Sequence, residues 1–574
     1  MSACEGGRRA RIRSAAELLA TLSSTIVIYA TAFERMLRQH LLGSLLLVIG
    51  DRPVGANATA ILPTSLRVER LLENEAYGID TPQPHLSWAW TVPSRAERGA
   101  TVPHSIVSVA LAAEQLNETP LWQQTAHAVS SLQYTGPALP STTRVHWRVC
   151  IQPLAGSDES CTFASFVTGH MHSSDWAAEW IAGRQLRSPA IVWPARALRS
   201  AVLTVTGLGF YEIALNGKKV GDAVLDPGFS TNYTERILYS TFDVTAALNT
   251  TKAASLFARV GAGKYSYAVN PYAVPGKDVF ALLAQLKLEF DDEKAPLMLC
   301  TNTSWQVSQS PIVWENLYNG EVYDARLEDK AEWVPAEIVS LPAGAHAALS
   351  ARLFPPIRIV ETVTPINETQ LAARSFFYDL GNNYAGVARV TFNKRAIFHS
   401  GDRLVIVCTE YLDIASTPGG PADMYNQQDL YIASGNEAAG DTYAPTFVYH
   451  GFRYVRVDVI SDSKDAVATE VAQGDFSVHG LFMHSDIERH GQVSFVGASA
   501  EGAVLDAIHK MVVQTQRDNI HSHPTDCPQR EKRGWMGDAQ WTSEEAMLNF
   551  VRSSILLPPF VCRDTVSLSG PDRT

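Results

Sequence analysis

The chain has 574 residues, of which 46% are hydrophobic and 18% are charged, and its formal net charge is −12 at pH 7. A chain of this length predicts several domains, and its apolar content is sufficient for sizeable cores. The acidic balance argues against nucleic acid or an anionic membrane as the main partner. A neutral, soluble ligand is the better expectation.

The N-terminal region differs in composition from the rest of the chain. Two apolar runs, residues 18–33 and 41–49, each follow basic residues. The second run leads into Val54-Gly55-Ala56, a small-residue pattern suited to signal peptidase. We therefore predict a secretory signal that begins at Met36 and ends at Ala56, and an extracellular protein. The 35 residues before it are either an incorrectly assigned start or part of a signal anchor. Both runs are shorter than the ~20 residues that cross a bilayer, which disfavours a permanent transmembrane helix.

Sequons and cysteines agree with secretion. Asn-x-Ser/Thr sequons are candidate glycosylation sites, and they occur at Asn57, Asn117, Asn232, Asn249, Asn302 and Asn367. Seven cysteines are too few for a disulfide scaffold. Cys150 and Cys161 flank a short turn rich in Gly, Asp and Ser, so they are the best candidate pair, bridging a hairpin. We expect the other cysteines outside the 526–538 segment to be small buried hydrophobic residues.

Alternation of apolar and polar residues predicts β-strands through most of the chain. In a first module, from Pro63 to about Thr168, strands are predicted at 86–90 and 145–149, with the Trp residues in the core. A second module, about 176–341, has predicted strands at 202–206, 210–215 and 283–290, and Asn216-Gly217 is a strong hairpin signal. A third, about 355–478, has predicted strands at 387–392, 403–411 and 452–460.

Two glycine-rich segments of the second module do not indicate a nucleotide site. Residues 207–209, Gly-Leu-Gly, lack the third glycine and the helix of a dinucleotide site. Residues 261–264, Gly-Ala-Gly-Lys, lack the spacing and hydroxyl residue of a phosphate loop. We predict no cofactor.

A calcium or sugar site on the second module is a weaker alternative. Asp222, Asp226, Asn232 and Tyr233 could supply oxygen ligands, which hard cations such as Ca²⁺ prefer. Ordinary turn chemistry, in which Asp and Asn side chains hydrogen-bond their own backbone, is the favoured interpretation.

Near Gly480 the pattern changes from strand to helix. Ser499 can cap a helix whose apolar residues recur at helical spacing on one face. These residues are Val504, Leu505, Ile508, Met511 and Val512. We expect this stripe to be core. A second helix is predicted over 541–550, with Met547, Leu548 and Phe550 apolar.

The densest group of chemically active side chains is the segment 526–538, Asp-Cys-Pro-Gln-Arg-Glu-Lys-Arg-Gly-Trp-Met-Gly-Asp. It holds three carboxylates, Asp526, Glu531 and Asp538. Cleavage of a glycosidic bond needs one carboxylic acid to protonate the leaving oxygen and a second carboxylate to activate water or attack, and Trp535 could stack on a sugar ring. On the residues alone, a helical turn with i,i+4 ion pairs and a buried Trp is an equally good interpretation.

A zinc site is a further alternative for the same segment. His521, His523 and Cys527 are potential ligands, and Asp526 could be a fourth. Their spacing matches no closed structural zinc site, and His and Cys are more often packing or hydrogen-bonding groups. We predict no metal.

Residues 524–540, Pro-Thr-Asp-Cys-Pro-Gln-Arg-Glu-Lys-Arg-Gly-Trp-Met-Gly-Asp-Ala-Gln, resemble the signature of the inverting α-L-rhamnosidases. The resemblance implies that Glu531 is the general acid. It also implies that Asp526, Trp535 and Asp538 bind rhamnose, with Arg530 as a further contact.

Other segments are similar to further landmarks of this family. Residues 78–88 resemble its fibronectin-like domain, 206–228 its jelly-roll domain, and 379–383 and 449–454 its central β-sandwich. Residues 483–486 resemble the entry into its (α/α)6 barrel. Glu410 and Asp429 fall near positions where the central domain carries polar groups, and whether they face the sugar is left open.

The resemblance implies a multidomain, mostly β fold, with successive β-sandwich and jelly-roll domains followed by the incomplete start of an (α/α)6 barrel. The implied ranges are a leader, largely disordered or helical, at 1–62, a fibronectin-like sandwich at 63–172, a jelly-roll N-terminal domain at 173–350, a central sandwich at 351–479, the barrel start at 480–552 and an aberrant tail at 553–574.

The end of the chain departs from the family pattern. An (α/α)6 barrel of about twelve helices requires on the order of 300 residues, and only 36 follow Asp538. We therefore expect an incomplete barrel, no general base within this chain, and little or no hydrolysis by it. Burial or the neighbouring Asp526 and Asp538 should raise the pKa of Glu531 in an intact site, and less so in a wetter loop.

Two functions follow. The first is a secreted α-L-rhamnosidase that removes terminal rhamnose from plant glycosides or polysaccharides. The second is a non-catalytic secreted carbohydrate-binding protein that retains the β-domains. The expected partner is a rhamnose-containing glycoside or polysaccharide, with no nucleic acid and with membrane contact only through the signal anchor. The oligomeric state is left open.

Overall fold

The computed structural model describes residues 62–550, with gaps at 92–103, 128, 152–159, 195, 230–232, 234, 266–279, 293, 341–347, 395–396, 423–424, 462–470 and 496–499. The predicted signal and the predicted tail lie outside the described residues. The described residues from 62 to 491 and from 500 to 550 belong to one compact unit. Among the described helices, none combines the length and the apolar content that crossing a membrane requires.

The first domain is a sandwich of two sheets. Its strands are β1 (Leu62–Val68), β2 (Leu71–Leu72), β3 (Tyr77–Ile79), β4 (His85–Thr91), β5 (Ser105–Ala110), β6 (Trp122–Ala126), β7 (Ser131–Gln133), β8 (Arg144–Ile151) and β9 (Ser160–Thr168), with a short helix at Gln115–Glu118. One sheet has the order β2-β1-β4-β7 and the other β3-β9-β8-β5-β6. Trp88 and Trp147 are buried between them, as predicted. The predicted Cys150–Cys161 disulfide is confirmed, and it joins directly opposite residues of β8 and β9.

The second domain is also a two-sheet sandwich. Its strands are β10 (Ile181–Ala182), β11 (Gln185–Arg187), β12 (Ile191–Val192), β13 (Leu198–Gly207), β14 (Phe210–Leu215), β15 (Lys218–Lys219), β16 (Arg236–Asp243), β17 (Ala253–Ala254), β18 (Leu256–Gly261), β19 (Ala281–Phe290), β20 (Leu297–Cys300), β21 (Gln306–Ser308), β24 (Val334–Pro335) and β25 (Ala348–Ala351). Two strands within this stretch of sequence, β22 (Ile312–Asn316) and β23 (Gly320–Asp324), belong to the sheet of the third domain. The sheet orders are β10-β19-β13-β16-β25 and β15-β14-β18-β11-β21-β24, and β12 pairs with β17.

The three strands predicted in the second domain are confirmed. The hairpin at Asn216-Gly217 is confirmed as well, because both residues have positive φ (49° and 81°) and join the paired strands β14 and β15. Short helical segments lie at Ser173–Asp175, Thr245–Leu248 and Ala325–Lys330.

The third domain is organised around a ten-stranded sheet. Besides β22 and β23, its strands are β26 (Ile357–Val363), β27 (Asn367–Ala372), β28 (Ser375–Phe392), β29 (Arg403–Thr409), β30 (Gln428–Ile432), β31 (Thr442–Tyr443), β32 (His450–Ile460) and β33 (Phe476–Ser485), with a short helix at Leu412–Ala415. The strand order is β22-β23-β30-β29-β32-β28-β33-β26, and β27 and β31 pair with β28. The predicted strands are confirmed, although β29 ends at Thr409. The multidomain, mostly β fold is therefore confirmed.

Two longer helices follow the third sheet. They are Ala500–Asp518 and Met536–Asn549, and between them lies the hairpin of β34 (Ile520–His521) and β35 (His523–Pro524). The second helix was predicted, but it begins five residues earlier than expected, and Trp541 in its middle is 85% exposed.

The prediction that the apolar stripe of the first helix is core was wrong. Val504 is 58% exposed and Met511 is 60% exposed, whereas Val513 is buried against Ile487, Ile520 and Phe550. The helix packs on strand β33, so its buried face is the one that contains Val513. Helical spacing identified an apolar face, but the neighbouring elements decide which face is covered.

A separate apolar cluster joins the second and third domains. Phe210, Leu225 and Phe229 of the second domain pack with residues of the third, including Val387 and Tyr449. The hairpin that precedes the 526–538 segment rests on this cluster, because Tyr449 stacks on His521 with ring centroids 4.2 Å apart.

Candidate functional site

Residues 525–535 form an irregular loop between strand β35 and the helix Met536–Asn549. The backbone amide of Asp526 donates a hydrogen bond to the Arg533 carbonyl at 2.9 Å. Trp535 is 48% exposed and immediately precedes the helix. The alternative of a helical turn with a buried Trp is therefore wrong.

The loop brings four of the predicted site residues together. The indole Nε1–H of Trp535 donates to Asp526 Oδ2 at 2.8 Å and to Glu531 Oε2 at 3.1 Å. Arg530 Nη2 donates to Glu531 Oε1 at 3.0 Å. Asp526 also accepts from the Arg533 amide at 2.8 Å. The fifth predicted residue, Asp538, lies in the first turn of the helix and is outside this hydrogen-bonded group.

The pKa values of the two carboxyl groups move in opposite directions. Burial raises the pKa of Asp526, whereas hydrogen bonding with Asp526 and Trp535, together with the charge of Arg530, lowers the pKa of Glu531. Asp526 therefore keeps its proton to a higher pH than an ordinary aspartate does, and Glu531 loses its proton at a lower pH than an ordinary glutamate does. The expected rise in the Glu531 pKa is absent because its side chain remains about one third exposed, at 35%, and faces Arg530.

Strand β32 forms the floor beneath the loop. A Cβ atom on Gly451 would lie 2.8 Å from the Gln529 amide nitrogen and 2.9 Å from Pro528 Cγ. Contacts this short do not occur, so a side chain at this position would push the loop away. The chain needs glycine here for a close approach of two backbones.

The histidines of the preceding hairpin are packing groups. His521 is fully buried, and its Nε2 hydrogen-bonds the Met483 carbonyl at 3.1 Å. His523 Nδ1 hydrogen-bonds the Pro524 carbonyl at 2.9 Å, and the Phe229 ring lies 5.9 Å from its centroid. These histidines and Cys527 do not converge on one point.

In the part of the chain that the structure describes, one trio of potential metal ligands does converge. Cys408, Asp429 and His450 place ligand atoms within 4.8 Å of one another, all fully buried. His450 Nε2 hydrogen-bonds Asp429 Oδ2 at 3.0 Å, and Asp429 Oδ1 accepts from the Glu321 amide at 2.9 Å. These residues could hold a metal ion, although hydrogen bonds already use both carboxylate oxygens.

Two polar residues left open by the sequence are placed by the structure. Asp429 is fully buried in this trio, so it cannot contact a sugar at the loop surface. Glu410 Oε1 accepts from Asn383 Nδ2 at 2.6 Å.

The residues of the weaker calcium alternative on the second domain make unrelated contacts. Asp226 accepts from Tyr211 and from Ser240 Oγ, at 3.0 Å for the latter. Asp222 accepts from Arg358 Nε at 2.7 Å. Asn232 is outside the described residues.

Sequence reasoning missed two buried lysines at the site. Lys532 was counted among the charges of the segment, but it is 0% exposed. Lys264 was considered only as part of a phosphate loop, yet it is buried against the site loop and its Nζ donates to the Lys532 carbonyl. The one signal in the sequence that pointed to Lys264 was the close spacing of the glycines in residues 261–264.

Family models match the chain in four successive segments. These are a Rha78A-like N-terminal immunoglobulin domain at 63–172, an α-L-rhamnosidase N-terminal domain at 196–361, a bacterial α-L-rhamnosidase concanavalin-like domain at 369–484, and a bacterial α-L-rhamnosidase six-hairpin glycosidase domain at 492–556. The last of these contains the site loop.

Individual relatives agree with the family models. An α-L-rhamnosidase of Formosa agariphila is 27% identical over 551 residues, covering 85% of this chain and 54% of its own length. An α-L-rhamnosidase of Streptomyces avermitilis is 30% identical over 372 residues, covering 60% of this chain and 32% of its own length. The chain spans about half the length of the first of these relatives.

Solved structures show the same arrangement. The α-L-rhamnosidase structure from Dictyoglumus thermophilum is 26% identical with a TM-score of 0.71, covering 85% of this chain and 56% of that one. The Streptomyces avermitilis α-L-rhamnosidase complexed with L-rhamnose shares the fold, with a TM-score of 0.72, 22% identity, and coverage of 88% and 64%. With four rhamnosidase domain models in consecutive order and relatives that carry the same name, this chain belongs to the α-L-rhamnosidase family.

Proposed function

We propose that this protein is an α-L-rhamnosidase, which removes terminal α-L-rhamnose from glycosides or polysaccharides by an inverting acid/base mechanism. The observation that carries the proposal is the group formed by Asp526, Glu531 and Trp535. Two carboxyl groups accept hydrogen bonds from one indole N–H on a partly exposed loop. Membership of the family supports the choice of rhamnose.

Glu531 is the general acid in this proposal. It is the carboxyl that stays accessible, while Asp526 is tied to the Arg533 amide. A rhamnoside lying over the loop excludes water from Glu531, and desolvation favours the protonated form of a carboxyl group. Protonated Glu531 then donates its proton to the glycosidic oxygen as the bond to the leaving group breaks.

The remaining residues of the loop bind and orient the sugar. The exposed face of Trp535 can stack on the sugar ring, because its N–H is already used by the carboxyl groups. Arg530 and Asp538 supply polar contacts to hydroxyl groups. Inversion also requires a second carboxylate, ~6.5–9.5 Å from the acid, to activate water. We assign that role to no described residue, so Glu531 is the one catalytic carboxyl that we propose.

The test is the release of L-rhamnose from an aryl α-L-rhamnoside by the purified protein. Glu531→Gln should lower kcat about 10²- to 10⁴-fold, the range for loss of a general acid. Glu544→Gln, an exposed carboxylate on the following helix, is the matched control and should have no effect.

Four outcomes decide the proposal. Loss of activity in Glu531→Gln alone supports it, and full activity in that variant refutes the acid assignment. Binding of L-rhamnose without release supports instead a non-catalytic carbohydrate-binding protein. If the protein neither binds nor releases rhamnose, the proposed function is wrong.

We also propose that the protein is secreted and glycosylated. The signal-like residues 36–56 and the exposed sequons at Asn117, Asn249 and Asn367 support this. In a eukaryotic secretory host, treatment with peptide N-glycosidase should lower the apparent mass. Deletion of residues 36–56 should keep the protein inside the cell, and secretion of that variant would contradict the signal assignment.

A further inference from the structure

Two lysine side chains are buried beside the site loop. Lys264 follows strand β18 of the second domain and is 7% exposed, and Lys532 follows Glu531 directly and is 0% exposed. Buried lysines are uncommon because removing the ammonium group from water is costly unless other groups compensate. Their contacts therefore indicate a specific role.

Both side chains anchor the backbone at Lys532. Lys264 Nζ donates to the carbonyl oxygen of Lys532 and lies 4.3 Å from the centroid of the Phe229 ring. Lys532 Nζ donates to the Leu317 carbonyl at 2.9 Å and lies 4.8 Å from the centroid of the Tyr449 ring. Hydrogen bonds and cation–π contacts replace the lost hydration of both groups.

The backbone held in this way is unfavourable on its own. Lys532 has φ of 51°, in the left-handed region that non-glycine residues seldom occupy. Conformations of this kind persist at functional sites when the surrounding structure fixes them. The residue that precedes it is Glu531, so the same contacts fix the direction in which the Glu531 side chain leaves the backbone.

Electrostatics agree with this arrangement. Burial lowers the pKa of both lysines to about 7, and the negative charge of Asp526 acts in the opposite direction on Lys264. The Lys264 ammonium therefore contacts the backbone directly after Glu531 and is stabilised by the nearby Asp526 charge.

We propose that Lys264 is a positioning residue for Glu531, acting through the carbonyl of Lys532. The inference rests on the proposed function, and it assigns the second domain a part in the active site, 268 residues before the loop in sequence. On this account the sandwich does not merely precede the catalytic domain, because it supplies the group that holds the acid loop in its productive conformation.

The test replaces the ammonium group in the full chain. Lys264→Met keeps most of the volume and removes the hydrogen bond to the Lys532 carbonyl. Tyr265→Phe is the matched control, because Tyr265 is the next residue, is buried, and packs on Tyr233 rather than on the loop. Hydrogen–deuterium exchange reports on the loop amides of residues 526–535, and kcat and KM for an aryl α-L-rhamnoside report on function.

In Lys264→Met, exchange of the loop amides should rise at least tenfold, while strands β28 and β32 keep their protection. In an active product kcat should fall roughly 10- to 100-fold, the scale of loss that misplacement of a catalytic group produces, with KM changed less than threefold. Unchanged loop exchange would overturn the proposal, as would the same effect in Tyr265→Phe.

Lys532→Gly is the second variant and covers the case in which Lys264→Met does not fold. It keeps the carbonyl that Lys264 holds, relieves the positive φ and removes the contact to Leu317. Faster loop exchange in this variant supports anchoring by the buried lysines, whereas slower exchange would show that backbone conformation alone sets the loop. If the wild type neither binds nor cleaves rhamnosides, the proposed function fails, and the exchange data still decide whether Lys264 holds the loop.

Discussion

Ionisation of Glu321 should make the stability of the third domain depend on pH. Glu321 lies in strand β23 and is fully buried. Its Oε2 accepts from the Thr446 amide at 2.9 Å, and the Tyr443 hydroxyl donates to Oε1 at 3.4 Å. Despite the amide donor, burial raises the pKa of this carboxyl from 4.5 to about 8. The same strand follows the turn whose Leu317 carbonyl holds Lys532, so the effect concerns the support of the site loop.

The direction of the pH dependence follows from the number of protons that the folded and unfolded chains bind. The folded protein keeps the Glu321 proton over a range in which the unfolded chain has lost it, so the unfolded chain binds fewer protons. The contribution to stability is therefore fully present below pH 4.5 and is lost as the pH rises towards 8. At 1.36 kcal/mol for each pH unit, the loss between pH 5 and pH 8 is about 4 kcal/mol, as an order of magnitude.

Glu321→Gln should remove this pH dependence, because the amide has nearly the same shape and does not titrate. Denaturant unfolding at pH 5 and pH 8 measures the effect, with Glu544→Gln as an exposed control. The wild type should lose several kcal/mol of unfolding free energy across this range relative to Glu321→Gln. The same pH dependence in both proteins would refute the assignment of a buried, protonated carboxyl.

Three further predictions concern the disulfide, the loop floor and the acid. Cys150→Ser should destabilise the first domain by about 2–3 kcal/mol, since the bridge to Cys161 closes a short loop, and an unchanged melting temperature would contradict this. Gly451→Ala should lower the free energy of unfolding by about 1–3 kcal/mol, because the added methyl group overpacks the contact with the loop. It should also weaken L-rhamnose binding measured by calorimetry, and unaltered affinity would argue against the loop contact. Arg530→Gln removes a charge that lowers the pKa of Glu531, so the basic limb of the kcat/KM profile should move to higher pH, and a stationary limb would count against Glu531 as the acid.

The sequence was sufficient wherever one local pattern determines the structure. Strand β14 has the bounds that alternation predicted, Phe210–Leu215, because one of its faces packs in a core and the other does not. Asn216-Gly217 forms the hairpin because its residues tolerate positive φ. The site residues from Asp526 to Trp535 could be named for the same reason, since the motif that contains them is contiguous.

Features that depend on distant neighbours were not available from the sequence. The apolar stripe containing Val504 and Met511 is real as a pattern, but the helix is covered on another face. Likewise, the motif could not show that the pKa values of Asp526 and Glu531 move in opposite directions. That depends on the burial of Asp526 and the exposure of Glu531 after folding.

Lys264 illustrates the same limit more strongly. Its partner is a backbone carbonyl 268 residues away. Every residue has a backbone carbonyl, so the sequence does not indicate which one Lys264 contacts. Only the packing of the second domain on the third, through Phe229 and Tyr449, brings the two together.

The most direct test of the central claim is a crystal structure of this protein soaked with L-rhamnose. The account predicts a sugar ring against the exposed face of Trp535, with hydroxyl or ring oxygens within hydrogen-bond distance of Asp526 and Glu531. Rhamnose bound at another surface while this loop stays empty would contradict the assignment of the loop as the site.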